Sequence, residues 1–158
     1  MKRMQVISSV SDQTKVIELH GVIDEFFSLP EGLIEEGFTH IFDLDRLESI
    51  NSTGIREWIR FHQKFPNISF HFRRCPKFFI DQVNMVKGFL PQNSVIQSFY
   101  VPYFNESSDA EKKVLYESGK EFKGSELRHP DLVLDENNLP MELDVVEARY
   151  FKFLGMMK

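Results

Sequence analysis

The feature that most constrains the fold is an amphipathic segment that follows a short polar stretch near residue 50. Its apolar side chains fall largely on one face of a helix that begins after Ser52 and is closed by Pro66. The residues of this face are Ile55, Trp58, Ile59, Phe61, His62 and Phe65. A helix with one apolar face has to be buried against another layer, so Trp58 is predicted to be a core residue.

Strands and two further helices are predicted around this segment. The predicted strands lie at residues 5–10, 15–19, 38–44, 68–72 and 95–101. Gly21 is expected to end the first pair of strands, and a short loop is expected to join the third strand to the helix after Ser52. The further helices run over residues 28–36, from a capping-box pattern, and from Pro76 to about Gly88. This order predicts an α/β fold, a mixed sheet with helices packed on it.

Length and composition limit the classes of function. The 158 residues, of which 42% are hydrophobic, suit one domain with a small appendage. The net charge of -5 argues against a nucleic-acid partner. No apolar run is long enough to span a bilayer, and the N-terminus lacks the apolar stretch of a signal peptide, so a cytoplasmic protein is predicted. Cys75 is the only cysteine, so no internal disulfide can form.

The composition becomes more polar after residue 103, and we predict a separate extension over residues 104–158 after a domain at residues 1–103. Residues 114–116 and 121–123 flank a turn-like segment and predict a small hairpin. A C-terminal helix is predicted to start at Asp144. Its apolar face is formed by Val146, Tyr150, Phe153 and Leu154. Because so short a helix is not stable alone, it is expected to dock on the main domain or on a second chain, which leaves a homodimer open.

The polar stretch that opens the helix is the leading candidate for a functional site. Asn51, Ser52, Thr53 and Gly54 lie where backbone N–H groups point outward and hydroxyl groups are near the surface. Ser52 is predicted to be the N-cap, a role that stabilises a helix by about 1 kcal/mol. A hydroxyl group at this place is also a candidate for phosphorylation, which would add about −1.5 to −2 charge beside Glu57.

Other polar groups give no complete catalytic pattern. An acidic cluster contains Asp43, Asp45 and Glu48, and a basic cluster contains Arg73, Arg74 and Lys77. The acids suit a metal or an acid/base site, but no second motif completes it, so solvated strand ends are favoured for both clusters. His40, His62 and His71 are expected to be half-buried packing groups. With no nucleophile elbow or phosphate-binding loop, we predict no catalytic residue, no cofactor and no metal.

Residues 43–61 resemble the signature of STAS domains, the fold of anti-sigma-factor antagonists and of sulfate-transporter tails. In that signature an acidic strand end is followed by a serine, a second hydroxyl residue and a glycine, as in Ser52-Thr53-Gly54. The resemblance implies that Ser52 takes the position that is phosphorylated in anti-sigma-factor antagonists. Asn51 stands where an aspartate is usual, and Thr53 where a second serine is usual. The order of predicted elements over residues 5–103 is also similar to the STAS fold.

The STAS resemblance implies a non-enzymatic regulatory or scaffolding module. Its partner would be a signalling kinase, a phosphatase or a multi-protein assembly, bound through the start of the helix. The implied contact residues are Asn51, Ser52, Thr53, Gly54, Arg56 and Glu57, with Ser52 and Thr53 as candidates for phosphorylation. The alternative is a ligand-sensing STAS domain that binds a nucleotide or a lipid in or beside this region.

The extension resembles a small zinc ribbon found after the STAS-like part of some bacterial proteins. The matching segments are Val101-Pro102-Tyr103, Pro140-Met141-Glu142 and Tyr150-Phe151-Lys152-Phe153-Leu154. The cysteine positions are taken by Asn105, Ser108, Leu134 and Asn137. Because amides, hydroxyls and leucine cannot replace four thiolates around zinc, the sequence predicts a ribbon that has lost its metal.

Overall fold

A six-stranded mixed sheet and a three-stranded antiparallel sheet organise the chain in a computed structural model that describes residues 3–157. The α/β class predicted from the sequence is confirmed. The strands are β1 (Gln5–Ser11), β2 (Thr14–Ile23), β3 (Thr39–Asp43), β4 (Leu47–Ile50), β5 (Phe70–Arg73), β6 (Val95–Ile96), β7 (Ser98–Asn105), β8 (Ala110–Glu117), β9 (Phe122–Lys123), β10 (Glu126–Leu127) and β11 (Glu142–Leu143). The helices are α1 (Ser52–Gln63), α2 (Lys77–Met85) and α3 (Glu147–Tyr150), followed by a 3-10 helix (Lys152–Gly155). Within residues 3–157, no helix has the length and apolar character needed to cross a membrane.

The large sheet has the strand order β1-β2-β3-β5-β6, and β4 pairs with the end of β2. β1 and β2 are antiparallel, whereas β2, β3, β5 and β6 are parallel neighbours. Parallel strands need crossover connections, and α1 and α2 supply two of them. Both helices pack on the same face of the sheet, where Phe42 and Phe72 contact Trp58 of α1, and Phe72 also contacts Phe79 of α2.

The core beneath α1 is built largely from aromatic rings. Trp58 is fully buried, and its indole Nε1 donates a hydrogen bond to the carbonyl oxygen of Phe89 at 3.0 Å. The predicted core position of Trp58 is therefore confirmed. Ring centroids within 6 Å of the Trp58 ring belong to Phe27, Phe42, His62, Phe72, Phe79 and Phe89.

His62 lies inside this aromatic core and is not half-buried as predicted. Only 4% of the residue is exposed, and its ring centroid is 4.4 Å from that of Trp58 and 4.8 Å from that of Phe70. Neither imidazole nitrogen has a hydrogen-bond partner among residues 3–157. Burial among apolar rings lowers the pKa of His62 from 6.5 to about 3, so the imidazole is neutral in the folded protein.

We expect mild acid to destabilise the protein through His62. Below pH 6.5 the unfolded chain binds a proton at this imidazole, whereas the folded chain does not until the pH approaches 3. Between pH 7 and pH 5 this difference should lower the free energy of unfolding by about 2 kcal/mol. Urea unfolding at the two pH values should show a larger loss for the parent than for His62→Leu, which cannot titrate. If the free energy of unfolding falls by the same amount in the parent and in His62→Leu, the imidazole of His62 is not buried in its neutral form.

The prediction of a helix over residues 28–36 is wrong, because this stretch forms turns. Gly32 has a φ of +82°, which a right-handed helix cannot contain. The loop is held by Lys15 instead, whose Nζ donates to the carbonyl oxygen of Leu33 at 2.8 Å and to the carboxylate of Glu35 at 2.6 Å. The crossover from β2 to β3 is therefore a tethered loop.

β2 does not end at Gly21, and the predicted loop before α1 contains a strand. Gly21 has a φ of +116°, and the ladder between β2 and β4 shifts register between Gly21 and Val22. This local irregularity lets β2 continue to Ile23 and pair in parallel with β4. The extra pairing brings the chain that precedes α1 alongside the end of β2.

The hairpin of the C-terminal part joins β7 to β8, so the hairpin predicted between residues 114–116 and 121–123 is wrong. β8 pairs with β7 along its full length, and β9 pairs with β10. The chain reverses earlier than predicted because Asn105 forms a tight turn, in which its Oδ1 accepts a hydrogen bond from the backbone N–H of Ser107 at 2.9 Å. The predicted domain division after residue 103 falls within β7.

The C-terminal helices dock on the main part of the same chain, which is one of the two predicted alternatives, the other being a second chain. Their buried side chains include Tyr150, Phe153 and Leu154. The hydroxyl of Tyr150 donates to the carbonyl oxygen of Tyr100 on β7. α3 starts at Glu147, not at Asp144, and Val146 is 62% exposed rather than part of the apolar face. The predicted docking is confirmed, whereas the predicted start of the helix is wrong.

The positions that the ribbon resemblance assigns to zinc ligands lie on two turns that contact each other. Asn105 Oδ1 accepts a hydrogen bond from the backbone N–H of Ser108 at 3.2 Å, and Asp135 Oδ1 accepts one from that of Asn137 at 2.8 Å. Ser108 Oγ also donates to Asp135 Oδ2 at 3.2 Å. Side-chain oxygens therefore close both turns and link them to each other.

Candidate functional site

Asn51, and not Ser52, caps helix α1. Asn51 has an extended backbone, and its Oδ1 accepts a hydrogen bond from the backbone N–H of Gly54 at 2.7 Å. Ser52 is the first helical residue, so the cap role predicted for it is corrected. The physical reason is that the side chain of the residue before it already satisfies the N–H group that a serine cap would have bound.

Gly54 anchors the start of α1 against the end of β2. The backbone N–H of Asn51 donates to the carbonyl oxygen of Ile23 at 3.1 Å, which draws the helix start onto β2. A Cβ at Gly54 would lie 2.0 Å from that same oxygen and 3.0 Å from the Cα of Asp24. Only glycine fits this contact. Gly54 is buried, so it positions the site from beneath and contributes no side chain to the surface.

The exposed part of the helix start is polar. Asn51, Ser52, Thr53 and Arg56 are exposed, and Glu57 is half-buried. Within the part of the chain that the structure describes, the hydroxyls of Ser52 and Thr53 make no hydrogen bond and Arg56 forms no ion pair. Glu57 instead pairs with Arg60 one turn further on, at 3.0 Å between Oε1 and Nη1. The side chains of Ser52, Thr53 and Arg56 therefore stand on an anchored helix start without contributing a hydrogen bond or an ion pair to the described part of the fold.

The acidic and basic clusters predicted from the sequence meet at the carboxyl ends of β3 and β5. Asp43 is only 2% exposed, with Oδ2 at 3.0 Å from Arg73 Nε and Oδ1 at 3.0 Å from Arg74 Nε. Asp45 lies 3.6 Å from Arg74 Nη1, and Glu48 takes no part in these ion pairs. Burial disfavours the carboxylate, but the hydrogen bonds from Arg74 and Arg73 outweigh it and lower the pKa of Asp43. The prediction of separate solvated strand ends is therefore wrong.

No metal-binding arrangement of three or more His, Cys, Asp or Glu side chains occurs among residues 3–157. Cys75 is buried, and burial raises the pKa of its thiol well above the ordinary value. An open groove of about 760 Å³ lies beside β4, lined in part by His20, Asp45, Arg46 and Glu48. Its lining mixes acidic and basic groups, so it has no clear preference for an anion or a cation.

Comparison with known proteins adds no functional label to this surface. No protein-family model matches the chain, and no curated protein matches it in sequence. A function for the start of α1 therefore has to be inferred from its own residues and from the fold that holds them.

Proposed function

We propose that this protein is a non-enzymatic regulatory or scaffolding module of the bacterial cytoplasm that binds a protein partner through the start of α1. The contact surface consists of Asn51, Ser52, Thr53, Arg56 and Glu57, with Gly54 beneath it. The observation that carries the proposal is the pair of exposed hydroxyls at Ser52 and Thr53, which the fold does not use. The resemblance of this stretch to STAS domains supports the same surface, because Ser52 falls on their phosphorylated position.

The same geometry is compatible with control by phosphorylation. Asn51 already caps the helix, so a phosphate on Ser52 or Thr53 would not remove a structural hydrogen bond. The added negative charge would lie at the positive end of the helix dipole, which favours it in the folded chain. It would also change the charge that the surface presents to a partner. Phosphorylation should therefore alter partner binding without destabilising the fold.

We expect Ser52→Asp and Arg56→Glu to weaken binding of the same partner while leaving the fold intact. The first change adds a negative charge inside the proposed contact, and the second reverses the sign of an exposed side chain there. Each should reduce the amount of that partner captured from native lysate by about tenfold, equivalent to about 1.4 kcal/mol. The measurement is affinity capture with quantitative mass spectrometry, after circular dichroism has shown that each variant is folded.

Two further variants serve as controls in this experiment. Lys123→Glu makes the same charge reversal as Arg56→Glu on an exposed strand residue outside the proposed contact, so it should retain the partner. Ser52→Ala should retain both the partner and parental stability, because Asn51 supplies the cap. If all four variants capture the same proteins in the same amounts, the start of α1 is structural only.

We favour protein binding over a ligand-sensing role. The groove beside β4 carries Arg3, His20 and Arg46, but Asp45 and Glu48 line it as well. An anionic nucleotide or lipid headgroup would meet both signs of charge there. The protein-binding surface at the start of α1 is therefore the better-supported function.

A further inference from the structure

β1 is an edge strand whose outer side pairs with no strand among residues 3–157. Its seven residues pair with β2 in one uninterrupted antiparallel register. The strand contains no proline and no charged residue, and Ile7 and Val10 are 48% and 60% exposed. Proteins usually protect such an edge with a charge, a proline, a bulge or a covering segment. β1 has none of these, so it is suited to accept another strand.

We propose that β1 pairs with β1 of a second copy of this chain in a two-fold symmetric dimer with one continuous sheet. Ser11 and Thr14 flank a two-residue hairpin loop and form a hydrogen-bonded pair. Because hydrogen-bonded pairs alternate along an antiparallel ladder, the backbone groups of the odd-numbered residues of β1 form hydrogen bonds to β2. Val6, Ser8 and Val10 therefore direct their backbone N–H and C=O groups toward the open edge. A two-fold axis at Ser8 lets these groups bond to the same groups of the second copy.

The strand is complementary to itself in this register. Ser8 lies opposite Ser8 of the partner subunit, and Val6 lies opposite Val10 of the partner subunit on the same face of the sheet. Val6 already packs against the core, so the pairing extends apolar contact to the exposed Val10. At each end of the paired segment Met4 lies opposite Asp12 of the partner subunit and Arg3 lies opposite Gln13 of the partner subunit, so no two like charges face each other there.

Like charges stay apart in the same arrangement. β1 itself is uncharged, and Glu18 is the acidic residue of β2 that lies opposite Ile7 of β1. Three strand spacings separate Glu18 from its symmetry copy, a distance of about 14 Å or more. A strand from a different protein would need side chains and a length that fit this short uncharged edge, whereas β1 of a second copy has them by symmetry. The inferred dimer is independent of the proposed partner site on α1.

A cysteine at the symmetry axis tests the register. Ser8→Cys should give a disulfide-linked dimer under mild oxidation, because directly opposed Cα atoms of a hydrogen-bonded pair are about 5.5 Å apart, within the range of a disulfide. Gln5→Cys is the matched control, since residue 5 would lie about 20 Å from its own copy. The native Cys75 is buried and should not contribute.

Solution mass gives a second, independent readout. The mass of the parent and of Ser8→Ala should rise with concentration from 18.6 kDa toward twice that value in sedimentation equilibrium. Ser8→Pro should stay at 18.6 kDa, because it removes an outward N–H group and leaves the bonds between β1 and β2 in place. A parent that stays monomeric at all concentrations, or equal cross-linking of Ser8→Cys and Gln5→Cys, would overturn the proposal.

Discussion

Replacing Trp58 with alanine is expected to lower the free energy of unfolding by about 3–5 kcal/mol. The side chain is fully buried and contacts residues of the sheet and of α2, so its removal leaves a cavity that several rigid rings surround. It also leaves the carbonyl oxygen of Phe89 without its indole donor. Urea unfolding monitored by circular dichroism measures the loss, and the total free energy of unfolding of a typical folded protein is only about 5–15 kcal/mol.

Two variants separate packing from hydrogen bonding at this position. Trp58→Phe keeps most of the ring and removes the bond to Phe89, so it should cost less than Trp58→Ala. Arg60 lies on the exposed side of the same helix, so the control variant Arg60→Ala should change the free energy of unfolding by less than about 0.5 kcal/mol. If Trp58→Ala is as stable as the parent, α1 does not cover the sheet with this face.

The second large effect is expected at Gly54. Alanine normally stabilises the interior of a helix by about 1 kcal/mol relative to glycine. Here the added methyl group would meet the carbonyl oxygen of Ile23 at 2.0 Å, and that oxygen is backbone and cannot move aside as a side chain does. We therefore expect Gly54→Ala to lower the free energy of unfolding by at least about 2 kcal/mol, measured by urea unfolding.

Gly155 provides the matched control for this substitution. Among residues 3–157, apart from the immediate chain neighbours of Gly155, no heavy atom lies within 4 Å of a Cβ built there, so Gly155→Ala should change stability by less than about 0.5 kcal/mol. Gly54→Ala should also reduce partner capture, because any shift of α1 away from β2 moves the whole proposed surface. A stable Gly54→Ala variant would show that the helix start is not held against β2 as described.

The parts of the fold that the sequence predicted correctly are those with a strong repeating pattern. The alternation of Phe70 and Phe72 with polar residues identified β5, and the apolar face around Trp58 identified α1. The predicted helix at residues 28–36 failed because its apolar residues, Leu33 and Ile34, are adjacent and form no helical stripe. A capping pattern at its start was not enough, since Gly32 favours a turn.

The remaining errors come from contacts between segments that are distant in sequence. Nothing near Gly21 reveals that β2 continues past it to meet β4. The pairing of Asp43 with Arg73 follows from the parallel register of β3 and β5, in which these two terminal residues are direct partners. Comparing the last residues of neighbouring parallel strands would have found this ion pair. The cap was misassigned because Asn51 and Ser52 are both good N-cap residues, and local sequence does not choose between them.

The most direct test of the central claim is photo-cross-linking in native lysate, with a photoreactive amino acid placed in turn at Thr53 and at Lys123. The proposed binding surface predicts a discrete protein cross-linked at Thr53 and absent at Lys123, with its yield reduced when Arg56→Glu is added. The same cross-linked proteins from both positions, or none from Thr53, would contradict the claim that the start of α1 binds a protein partner.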